Sequence, residues 1–137
     1  MKVKLDKWAY APTRSHETDA GIDLRTPIGF VLEPDTSIVI DTGVHMQIPS
    51  GHAGLLVSKS GLNVKNNVTS TGLIDEGYTG SIVVKLYNHG KSQLEMPVGG
   101  KISQIVIIPV SYVPIELVDE IDGGERGGAG FGSTGII

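Results

Sequence analysis

Nineteen glycines and seven prolines interrupt this chain of 137 residues every few positions, and the stretches between them are short and rich in Val, Ile, Thr and Tyr. Such punctuation works against long helices, because Gly loses backbone entropy in a helix and Pro removes a helical hydrogen bond. It suits the short strands and frequent turns of an all-β sandwich or barrel. Strands are expected at residues 2–5, 21–24, 29–32, 37–40, 44–48, 53–57, 81–88, 101–110 and 114–117. Several alternate inward and outward, most clearly Ser81-Ile82-Val83-Val84-Lys85-Leu86-Tyr87. The pattern leaves room for at most one short helix, a turn or two over residues 60–65. Asn66 and Asn67 suit its end because Asn tolerates the left-handed conformation.

The run Ile105-Val106-Ile107-Ile108 breaks the alternation by being apolar on both faces. It is expected to be covered on both, by a second sheet and by a neighbouring subunit, which points to an oligomer. The length fits one domain with a real core. Residues 1–122 are read as that β domain. Residues 123–137 are read as a flexible arm, since so glycine-rich a stretch holds neither strand nor helix alone.

Composition removes several functions. With no Cys there is no disulfide, thiolate metal site or cysteine nucleophile. A net charge of −4 argues against a nucleic-acid partner, which demands clustered Lys and Arg. The opening Met1-Lys2-Val3-Lys4-Leu5-Asp6 alternates charged and apolar residues, so neither a signal peptide nor a membrane partner is expected, and a cytoplasmic location is. His16, His45, His52 and His89 lack metal-ligand spacing. Gly90-Lys91-Ser92 is no phosphate-binding P-loop, because Lys85 stands where its first Gly is required.

Five segments carry chemistry. In the tail, Arg126 offers a bidentate phosphate donor, Phe131 a stacking surface, and Ser133 and Thr134 hydroxyls, while glycines such as Gly132 let backbone N–H groups approach an anion. Composition alone favours a disordered linker. Gly72-Leu73-Ile74-Asp75-Glu76-Gly77-Tyr78-Thr79-Gly80 reads as a glycine-bounded hairpin that can present Asp75 as a general base and Tyr78 as a wall for a sugar, or as an ordinary acidic turn. Asp23, inside Ala20-Gly21-Ile22-Asp23-Leu24, is an acid in an apolar strand. It faces a partner or water near a metal, or bonds to backbone. In Ser58-Lys59-Ser60-Gly61-Leu62, the Ser60 hydroxyl and nearby N–H groups can hold a phosphate, or simply cap a helix. Gln104, an amide among strand-core residues after Gly99-Gly100-Lys101-Ile102-Ser103, needs hydrogen-bond partners.

In this order along one small all-β chain, the five segments resemble the five motifs of the trimeric dUTP pyrophosphatase family, over residues 20–135. The resemblance implies a jelly-roll β-barrel, a homotrimer with shared sites, and Mg²⁺-assisted hydrolysis of dUTP to dUMP and pyrophosphate. That reaction limits uracil incorporation into DNA and supplies dUMP for dTMP synthesis. It also implies the roles. Asp75 is the base that activates water, Tyr78 packs on the deoxyribose, and Asp23 holds Mg²⁺ through water. Lys59, Ser60, Gly61 and Gln104 contact phosphates, and backbone at Gly72, Leu73 and Ile74 reads uracil. Arg126, Ser133 and Thr134 grip the outer phosphates, and Phe131 with Gly132 covers the base as residues 123–137 close the site.

The chain departs from the family pattern in places. Lys59 replaces an Arg, and Gly77 stands where a second Asp is common. Thr69 stands where some members have Asn near the base. Gly99-Gly100-Lys101 lacks an acid and an Arg, which implies a lost structural ion pair. Two alternatives share the phosphate motifs. One is a dCTP deaminase or bifunctional deaminase and diphosphatase, for which Glu76 is the nearby acid; the other is a catalytically silent, nucleotide-switched signalling module.

Overall fold

A computed structural model describes residues 1–130 together with Thr134 and Gly135. In chain order the elements are β1 (Val3–Leu5), β2 (Gly21–Arg25), β3 (Phe30–Leu32), β4 (Ser37–Asp41), β5 (Val44–Met46), β6 (His52–Val57), α1 (Ser60–Asn66), β7 (Val68–Ile74), β8 (Val83–Asn88), β9 (Leu94–Met96) and β10 (Lys101–Pro109). A six-stranded sheet runs β2-β10-β6-β7-β8-β4, flanked by the pairs β1-β5 and β3-β9, and every pairing is antiparallel.

The curl of this sheet is set by β7. Its first residues, Val68, Thr69 and Ser70, pair with Asn88, Tyr87 and Leu86 of β8, while Thr71 to Ile74 pair with Val57 back to Gly54 of β6. One strand therefore serves two layers and bends the sheet over on itself, giving the expected jelly-roll barrel. Between the layers lie Leu24, Leu32, Ile40, Leu56, Val84, Leu86, Ile102 and Ile105, none more than 2% exposed. Burying each such side chain stabilises the fold by roughly 1.5–3 kcal/mol. On β8 the alternation holds as read: Val84, Leu86 and Asn88 point inward, and Val83, Lys85 and Tyr87 outward. Buried Asn88 is satisfied, donating to the carbonyls of Leu32 and Ser92 (both 2.9 Å) and accepting from the Gly90 N–H.

The helix forms as expected, with Asn67 closing it in the left-handed region at φ 55°. Three expectations shift. Residues 81–88 become a strand only from Val83, because Ile82 bonds instead to Val44 and Thr42. Two strands lie outside the expected set: β7, whose Val68-Thr69-Ser70-Thr71 looks like polar turn sequence, and β9, three residues cut short by Pro97. The strand expected at residues 114–117 does not form. Its alternating apolar side chains have no partner strand among the described residues, leaving Ile115 and Leu117 91% and 94% exposed. On β10, Ile105 is fully buried, but Val106, Ile107 and Ile108 are only half-buried, so this chain alone does not cover both faces. No helix among the described residues is long and apolar enough to cross a membrane.

Candidate active site

Asp23 occupies the middle of β2 with its side chain only 4% exposed. A lone carboxylate there would be expensive, and two lysines answer it. The Lys59 ammonium bonds Oδ1, and Lys101 Nζ lies 2.6 Å from Oδ2. Burial pushes the Asp23 carboxyl up, but Lys101 and Lys59 together outweigh it and hold it below the ordinary carboxylate range. The fourth motif, although it lacks its usual acid and Arg, still makes an ion pair. Lys101 itself supplies one, its flexible four-carbon stem reaching Asp23 across the irregular register between Lys101 and Ser103.

Gln104 is paired with Asp23 across the β2–β10 ladder, and its Nε2 donates to the Ser58 carbonyl at 3.1 Å. The amide lies over the backbone of Gly21, where a Cβ would stand 2.1 Å from Oε1 and force the amide aside. Lys59 is the residue before α1. No side chain caps the helix, so the N–H groups of its first turn are open, as at any uncapped helix start. Ser60 and Gly61 are exposed in that turn, with open space where a Gly61 Cβ would be. Beneath them runs a buried hydroxyl network that sequence reading missed. Ser70 Oγ meets Ser103 Oγ at 2.8 Å, Ser103 donates to the Val57 carbonyl at 3.1 Å, and Ser58 Oγ accepts from the Ser70 N–H at 2.9 Å. Its one sequence signal is hydroxyls set among apolar strand residues.

The second cluster is the hairpin. Gly72, Leu73 and Ile74 belong to β7 itself, paired with Leu56, Leu55 and Gly54, so the expected hairpin loop shrinks to a tight turn from Asp75 to Tyr78. The Tyr78 N–H closes the turn on the Asp75 carbonyl at 3.2 Å, and Gly77 adopts φ 86°. A turn of this kind wants glycine at its third position, a local reason for Gly77 where the family often has Asp. Asp75 is exposed and borders a groove of about 680 Å³, with His52, Leu73, Val110 and Tyr112 on its walls. The Tyr78 hydroxyl donates to the Ser81 carbonyl at 3.0 Å. Thr69 is not near Asp75 on this chain; it lies at the other end of β7, 3.0 Å from His89 Nε2.

Glu76, the acid a deaminase would use, is engaged by hydrogen bonds instead. Its Oε2 accepts from the Tyr112 hydroxyl at 2.6 Å and from the Gly51 N–H at 2.9 Å. These bonds, with one from Ser50, hold it ionised and below its ordinary value. A carboxylate so engaged is an acceptor, not a proton donor.

The two clusters do not meet on this chain. Val57 of β6 pairs with Gln104 and Gly54 with Ile74, which puts the Asp23, Lys59, Ser60 and Gln104 group beyond one end of β6 and Asp75 at the other. Five residues of strand, about 16 Å at 3.3 Å per residue, separate them. Arg126 and Thr134 are exposed. Phe131, Gly132 and Ser133 lie outside the described residues. Among the described residues no cluster of three His, Cys, Asp or Glu side chains is placed to hold a metal.

The dUTPase family model matches residues 7–135. The chain belongs to the dUTPase family. A deoxyuridine 5'-triphosphate nucleotidohydrolase of Clostridium acetobutylicum is 40% identical over 140 residues, covering 99% of this chain and 97% of the relative. The mouse enzyme of the same name is 38% identical over 97% of this chain and 83% of its own. The dUTPase of Staphylococcus bacteriophage 80alpha, solved with dUPNHPP, superposes with a TM-score of 0.91 at 33% identity over 98% of both chains. A point mutant of the dUTPase from S. aureus phage phi11, solved with a structural Mg(II) ion, gives 0.79 at 31% identity, over 87% of this chain and 96% of that one. Like its relatives, this dUTPase hydrolyses dUTP. Neither the deaminase nor the silent-module alternative gains support from these relatives or from the site.

Proposed function

We propose that this dUTPase cleaves dUTP to dUMP and pyrophosphate by attack of water on the α-phosphorus, in sites that three copies of the chain complete together. The observation that carries the shared site is the distance between the two clusters along β6. A base at one end cannot serve a phosphate held about 16 Å away at the other. A second copy brings its turn to the first copy's phosphate cluster. The half-exposed face of β10 and the exposed apolar segment containing Val113, Ile115 and Leu117 are the surfaces that such copies bury.

Within the site, Asp75 is exposed and free to take a proton from water, and Tyr78 walls the sugar. Lys59, the open N–H groups and hydroxyl at Ser60 and Gly61, and the Gln104 amide hold the phosphates. Backbone at Gly72, Leu73 and Ile74 faces the base. Arg126, Phe131, Gly132, Ser133 and Thr134 close over the nucleotide from a neighbouring copy's arm, residues 123–137, excluding bulk water. The residues also fit Mg²⁺. Asp23, whose Oδ2 makes no aligned hydrogen bond although Lys101 Nζ lies 2.6 Å away, offers a single carboxylate suited to contact through the water shell of an ion carried by the substrate. When bound, Mg²⁺ neutralises phosphate charge and keeps the chain of phosphates in line.

Mixing impaired variants tests the shared site, at dUTP well below KM. Asp75→Asn and Gln104→Leu chains, unfolded and refolded together, should regain about a quarter of wild-type turnover by random assortment of the two contributing copies. No recovery in mixtures shown to be mixed trimers would place both clusters' work on one chain and defeat the proposal.

A further inference from the structure

The turn that carries Asp75 is exposed and closed by a single hydrogen bond at 3.2 Å, yet a general base must hold its geometry closely to act. What fixes it comes from outside the turn. Glu76 Oε2 takes the Gly51 N–H at 2.9 Å and the Tyr112 hydroxyl at 2.6 Å. The Gly51 carbonyl in turn accepts from the Val110 N–H at 2.9 Å. The base-bearing turn, the turn before β6 and the chain leaving β10 are thereby joined in one closed ring. The bond from Tyr112 is charge-assisted and short, the stronger kind of hydrogen bond. Tyr112 also leads into residues 113–122, from which the arm departs.

We propose that Glu76 and Tyr112 form a clasp that fixes the turn bearing Asp75, making both of them positioning residues for the hydrolysis of dUTP. The proposal rests on the reading of Asp75 as the base. Neither residue needs to touch the nucleotide. Their part is to keep Asp75 at a constant distance from the water it activates, and to couple that distance to the root of the arm. The clasp also accounts for a glutamate beside the base that takes no part in proton transfer.

The test is the kinetics of pyrophosphate release from dUTP by wild type, Tyr112→Phe, Glu76→Leu and the double variant. Tyr112→Phe keeps the ring and removes only the donor. The clasp predicts that each single variant lowers kcat about tenfold, since small misplacements of a reacting group cost up to two orders of magnitude. KM should stay within about twofold, and the double variant should be no slower than the worse single one, because both break the same bond. Melting temperatures measured alongside should fall too little to account for the loss. Unchanged kcat in Tyr112→Phe, or singles whose effects multiply in the double, would overturn the clasp. An inactive wild type would overturn the underlying reaction instead.

Discussion

Gln104 lies across Gly21 so closely that a Cβ at position 21 would stand 2.1 Å from its amide oxygen. The contact locks the amide onto the Ser58 carbonyl, at the edge of the cluster proposed to hold phosphate. Gly21→Ala should expel the side chain from that position. KM for dUTP should rise about tenfold, the worth of one or two lost hydrogen bonds. Steady-state kinetics would show it, and an unchanged KM would remove Gln104 from the phosphate contacts.

The pairing of Asp23 with Lys59 and Lys101 makes a second prediction. Asp23→Asn leaves two ammonium groups side by side without their counter-ion. Breaking a buried pair costs about 3–5 kcal/mol, but both lysines keep about a third or a quarter of their side chains in solvent, so about 2 kcal/mol is expected here. Denaturant unfolding, compared with Lys101→Met at matched protein concentration, measures it.

Asp41 predicts a pH dependence. Its carboxylate accepts from the Ser81 hydroxyl and the Gly43 N–H, and these hold it below its ordinary value. A depressed carboxylate contributes stability above the unfolded-state value of about 4 and loses it as pH falls through the folded-state value. Thermal unfolding followed from about pH 6 to about pH 3 should therefore show a smaller acid loss for Asp41→Asn than for wild type.

Gly77 at φ 86° sets the turn that presents Asp75. A side chain there costs about 1–2 kcal/mol of backbone strain. If Asp75 is the base, Gly77→Ala should therefore lower kcat, measured at a temperature where the variant is still fully folded by its melting curve.

The alternating run around Val84 and Leu86, the αL Asn67 and the acid in the turn at Asp75 were all legible in the sequence, because each is a local pattern with a local cause. What was not legible is what the other strands supply. Ser70 gave no sign of a strand because nothing nearby shows that Ser103 will meet it in the core. The partners of Asp23 lie 36 and 78 positions away along the chain, and the missing acid and Arg of the fourth motif implied no ion pair at Lys101. Tyr112 gave no signal, since its partner is chosen by where β10 ends. The distance between the two clusters follows from register along β6, which no single motif encodes.

The most direct measurement is the rate of pyrophosphate release from dUTP with Mg²⁺ by wild type and Asp75→Asn, with analogue binding measured in parallel. If Asp75 is the base, the variant should bind a non-hydrolysable dUTP analogue about as tightly and turn over dUTP about a thousandfold more slowly. Equal rates in the two proteins would contradict the account.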